Sequence, residues 1–165
     1  MIQRIIHGNR YSKVSEVLFK IGSIHQEKSD YEHALNAFYQ ALDIAENFED
    51  ANDTIVIILN EIYLIYQFIG DTKNAIKMLQ KIVEIVKTIL GEKHICAAFV
   101  LGLLRNIFAE NGMVERSKAA TKEIQAISTN SNYHFYHENN YNFVNTVMKL
   151  FGFSLDSIIQ TAAAA

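Results

Sequence analysis

The chain has 165 residues, half of them apolar, and a formal net charge of −3 from 15 basic and 18 acidic residues. That length suits one domain or a short run of repeats. The charges are well mixed, with no basic stripe of the kind phosphate-backbone binding needs, which argues against a dedicated nucleic-acid binder. The single cysteine, Cys96, cannot form an internal disulfide, and its neighbours Ile95, Ala97, Ala98 and Phe99 mark it as a small apolar core residue. The N-terminus lacks a sustained apolar signal region. The most apolar run, 55–69, is interrupted by Asn60, Glu61 and Gln67 and is shorter than the roughly 20 residues a membrane span requires. These features predict a cytoplasmic protein with no membrane insertion.

Met1 to His7 reads as the last turn of an earlier helix, because Gly8 stands in register with Gly91 two repeats later. Sequence spacing then predicts a helix over 13–27 with Ser12 as N-cap, and a second from the Ser29-Asp30 turn to about Asn47. The next pair covers roughly 54–68, capped by Asp53, and 72–90, with Gly91 as the left-handed residue that closes it. A third pair covers 92–110 and 114–127. Residues 128–142 are rich in Asn, Ser, His and Tyr and read as a loop. Beyond Asn140 an apolar helical face returns through Phe143, Val147, Met148 and Phe151.

These pairs repeat. Ala34 aligns with Ala75 and Ser117, Leu18 with Leu59 and Leu101, and His25 with Tyr66 and Phe108, at shifts near 41 and 42 residues. Ser29-Asp30, Gly70-Asp71 and Gly112-Met113 mark one turn three times. The predicted organisation is 1–10 as the end of a preceding repeat, then repeats over 11–50, 51–91 and 92–128. A polar linker over 129–139, a half repeat or capping helix over 140–161 and a patternless alanine tail over 162–165 complete it. The chain is therefore expected to begin and end in mid-repeat.

Gly22, Ala34, Phe38 and Ala41 carry the small, small, aromatic, small spacing that resembles the tetratricopeptide repeat. The second unit keeps Tyr66, Gly70, Ala75 and Leu79 but has Tyr63 where a small residue is usual. The third unit departs further, with Arg105 at that crossing and Thr121 below it, and keeps Gly112 at the turn. The long period and the run Leu90-Gly91-Glu92-Lys93-His94 are similar to kinesin light chain and nephrocystin-like arrays. The resemblance implies an all-α fold: a right-handed α-solenoid of stacked antiparallel helical hairpins, about three and a half units long. It also implies that the first helix of each hairpin lines a concave groove. That places Phe19, Ser23, Gln26, Ile57, Asn60, Leu64, Phe68, Phe99 and Asn106 at a partner-binding surface. Asn60 stands where related repeats hold a ligand's backbone amides.

No chemistry-bearing constellation emerges. There is no phosphate-binding glycine loop, nucleophile elbow or H-E-x-x-H pair, so no catalytic residue, cofactor or small-molecule substrate is expected. His134 and His137 share a spacing but lack a second ligand pair, and no metal site is assigned. His25 reads as a packing residue and His94 as a hydrogen-bonding turn residue. The resulting expectation is a non-catalytic scaffold or adaptor binding other proteins or peptide segments, within a large cytoskeletal or ciliary assembly. The alternative is a peptide-sensing regulatory domain that controls an effector.

Overall fold

Each apolar period in the sequence becomes a helix, and most of the helices are followed by a residue with positive φ. The computed structural model describes residues 2–48, 51–130 and 141–152, with side chains from residue 13 to 127 (apart from 49 and 50) and from 142 onward. Seven helices fall within the described residues: α1 (Ile2–Glu27), α2 (Tyr31–Ala45), α3 (Asn52–Phe68), α4 (Thr72–Leu90), α5 (Ile95–Glu110), α6 (Val114–Asn130) and α7 (Tyr141–Leu150). No strand occurs among those residues.

The repeat is written into the backbone at the helix ends. Ser29, Gly70, Gly112 and Gly152 all have positive φ, between 59° and 78°. At the first three, the next residue's N–H reaches back to the same acceptor position. Asp30 donates to the His25 carbonyl at 2.9 Å, Asp71 to Tyr66 at 2.9 Å and Met113 to Phe108 at 2.8 Å. This satisfies carbonyls that the end of a helix leaves orphaned and reverses the chain. The register that pairs His25, Tyr66 and Phe108 in sequence is thus a register of hydrogen-bond acceptors.

The chain divides into two compact units, Met1–Asp71 and Thr72–Ala165. In the first, α1 packs along α2, and α2 along α3. Ala34, Phe38 and Ala41 are wholly buried. The buried Ser15 hydroxyl donates to the Ala41 carbonyl at 2.8 Å, so the one polar side chain at that crossing is satisfied. Ile58, Leu59 and Ile62 form the buried face of α3. In the second unit α5 packs against α4 and α6, and α7 returns to α5. Its core joins Leu79, Ile82 and Val86 of α4 to Cys96, Ala97 and Val100 of α5, with Ile127 and Val147 beyond.

Several expected boundaries differ. Helix α1 runs without a break through Gly8 and Ser12, so Gly8 ends no helix and Ser12 caps none. A lone glycine or serine costs a helix about 1 kcal/mol or less, which continuous flanking turns absorb. Asp53 lies inside the first turn of α3, where its charge suits the positive end of the helix dipole, and Ala51 holds the cap position. Helix α6 extends to Asn130 and α7 starts at Tyr141, so the two ends of the predicted loop, 128–130 and 141–142, are helical, and the rest of it lies outside the described residues. His134 and His137 lie outside the described residues.

Candidate functional site

In the first unit, α3 leaves one stripe outside its buried face. Ile57, Glu61, Leu64 and Phe68 follow at three- and four-residue steps. Leu64 is 40% exposed and Phe68 73%, with Ile69 beside them at 48%. The Phe68 ring lies 5.0 Å from that of Tyr31, which braces it from the start of α2. On α1, Gln26 reaches α3: its Nε2 donates to Glu61 Oε2 at 3.2 Å, while its Oε1 is buried with no hydrogen-bond partner. An acceptor left that way costs about 1–3 kcal/mol.

The other expected groove residues are placed differently. Phe19 sets its ring at a tilt 5.4 Å from that of Phe38 and is spent on hairpin packing. Ser23 donates to its own helix at the Phe19 carbonyl. Asn60 is buried, 4% exposed, because it sits one position off the open stripe and faces the interior with Leu59 and Tyr63. As folded, its amide is not presented at the surface. In the second unit Phe99 is half-buried, and the exposed Asn106 accepts from the Arg105 guanidinium at 3.0 Å.

The packing signature resolves into two kinds of residue. Gly22 meets Phe38 so closely that a Cβ there would stand 2.7 Å from its ring. Ala34, Ala41, Ala75 and Leu79 are buried, and Tyr66 is half-buried with its hydroxyl 3.1 Å from that of Tyr39. Gly70 and Gly112 are exposed, meet nothing within 4 Å and serve only the turn.

Two polar arrangements were not legible as sites in the sequence. Within the second unit, a depression of about 500 Å³ has Val83, Leu101, Leu104 and Phe108 among its lining. Beside that apolar lining Lys87 binds Glu123 and Glu92, which holds the ammonium in its charged form, and Arg116 lies 4.4 Å over the Phe108 ring. At the first turn, His25 is not a packing residue. Its Nδ1 lies 3.0 Å from Asp30 Oδ2, beside His33. His94 caps α5, its Nδ1 accepting from the Cys96 N–H at 3.2 Å, and burial holds its pKa down. Cys96 is fully buried and burial raises its thiol to about 12, which leaves it unreactive as a nucleophile.

Residues 15–48 match the family model described as tetratricopeptide repeat, the stretch that contains the Gly22–Phe38 contact and the buried alanines. That segment is a tetratricopeptide repeat. No curated protein matches the chain significantly. Among solved structures, the crystal structure of BtubC (BKLC) from P. vanneervenii is similar over 84% of this chain and 56% of its own, with a TM-score of 0.55 and 17% identity. This chain therefore spans about half the length of that protein. A likeness at that identity establishes the fold, an all-α helical repeat, and leaves activity to this chain's own residues. The kinesin light chain-like type rests on sequence resemblance alone. No helix among the described residues is long and apolar enough to cross a membrane.

Proposed function

We propose that the chain is a non-catalytic protein–protein interaction module that holds a partner segment on the open stripe of α3. The observation that carries this reading is the exposure of Leu64 and Phe68 on a helix whose opposite face is fully buried. A helix normally spends its apolar residues inside, and large apolar side chains left together at the surface mark interaction sites. Aromatic residues in such positions dominate binding energies. The Gln26–Glu61 pair beside the stripe adds polar selectivity, and the unpartnered Gln26 Oε1 supplies an acceptor that a small side-chain rotation delivers to a partner's N–H.

Tetratricopeptide repeats generally bind other proteins, and the match over residues 15–48 supports that class of function. Within it, we favour an adaptor that joins larger assemblies over a peptide sensor, because the stripe is apolar and suits a partner's hydrophobic face. Affinity capture from the source cells with wild-type chain and with a Leu64→Ser/Phe68→Ser variant tests this. The expected outcome is selective loss of wild-type partners at an unchanged melting temperature. Retention of all partners by the variant overturns the α3 surface as the interface.

A further inference from the structure

The turn between α1 and α2 gathers three metal-ligating side chains. His25 comes from the last turn of α1, Asp30 is the N-cap of α2, and His33 lies in the first turn of α2. Both imidazoles direct Nδ1 at the same carboxylate: His25 to Oδ2 at 3.0 Å and His33 to Oδ1 at 2.8 Å. The rings are stacked, 5.3 Å apart at the centroids and 23° from parallel. One donor atom from each of the three residues lies within 4.8 Å of the others.

We propose that His25, Asp30 and His33 form a binding site for a divalent transition-metal ion of the zinc type. Zinc bonds of about 2.0–2.2 Å in tetrahedral geometry set neighbouring donor atoms roughly 3.3 Å apart, a spacing that small rotamer changes reach from the present one. Two imidazole nitrogens with one carboxylate oxygen select zinc, copper or nickel over calcium and magnesium, which prefer all-oxygen shells. Each histidine carries its ring proton on Nε2 when Nδ1 gives its lone pair to the ion. Three protein ligands leave a fourth position for water or for a partner's side chain.

The backbone holds the ligands ready. The Asp30 N–H is fixed to the His25 carbonyl, and the Asp30 side chain also accepts from the His33 N–H, so the three residues are tied by main-chain geometry. Their side chains are 35%, 39% and 67% exposed, which leaves an ion an open path. The sequence signal is His-x4-Asp-x2-His spanning a predicted turn, a spacing that only the hairpin brings together.

Calorimetric titration with zinc chloride tests the site, using the full chain without a histidine tag. The expected result is one site per chain, weakened about tenfold or more in His25→Gln/His33→Gln and in Asp30→Asn. Asn keeps the helix cap, so the second variant removes the charge and spares the fold. A His134→Gln/His137→Gln variant is expected to bind as wild type. Absence of zinc binding by folded wild type overturns the proposal. So does binding that survives in His25→Gln/His33→Gln.

Discussion

Gly22 on α1 and Phe38 on α2 touch where no side chain fits: a Cβ on Gly22 would stand 2.7 Å from two carbons of the buried ring. Replacing a mid-helix glycine by alanine ordinarily gains about 1 kcal/mol through helix propensity. Here the ring must move inside a packed core, and such overpacking typically costs about 1–3 kcal/mol. Gly22→Ala is therefore expected to lower stability by about 1 kcal/mol in chemical denaturation. In a Phe38→Leu background, where the ring is gone, the same change is expected to be neutral or stabilising. The sign reversal is the coupling between the two residues.

The turns carry a separate cost. Gly70 and Gly112 have φ of 78° and 69° and open space around them, so an added methyl meets backbone strain and no clash. Gly70→Ala and Gly112→Ala should each lose about 1–2 kcal/mol. Ser29 holds the same conformation at φ 59° without glycine's freedom. Ser29→Gly is expected to gain up to about 1 kcal/mol, offset in part by the looser unfolded chain. Thermal or denaturant melts of the three variants check both directions.

His94 makes α5 sensitive to acid. Burial lowers its folded pKa below the ordinary 6.5, so the unfolded chain takes up a proton before the folded one does. Its contribution to stability is whole above about pH 6.5 and declines as pH falls toward the folded value. The protonated ring also loses Nδ1 as acceptor for Cys96. His94→Asn keeps a capping side chain that does not titrate. Melting temperatures from pH 7.5 to about pH 5 should fall more steeply for wild type than for this variant. Parallel curves would assign the cap no role in acid sensitivity.

Much of the fold was legible because its determinants are local. The apolar period gave α4 its observed bounds, Thr72–Leu90, and the Ser29, Gly70 and Gly112 turns stood out as a common punctuation. The Gly22-Ala34-Phe38-Ala41 spacing predicted a close crossing, and the glycine meets the ring there. The candidate site was less legible. One residue along a helix turns a side chain by about 100°, enough to separate the open Leu64 from the buried Asn60, and family register does not resolve that step. Ser12 and Asp53 have cap chemistry, but a cap forms only where the backbone leaves the helix, which tertiary packing decides. The His25–Asp30–His33 cluster stayed hidden because its spacing acquires meaning only when the turn reverses the chain.

The function proposed above stands or falls with the α3 stripe as the partner surface. Photocrosslinking in the source cells tests it most directly, with a benzoylphenylalanine placed at Phe68 and, as a control, at the exposed Lys118 of α6. A discrete crosslinked protein is expected from position 68, absent from position 118 and lost when Leu64→Asp is added. Position 68 giving no adduct, or the same adducts as position 118, would contradict it.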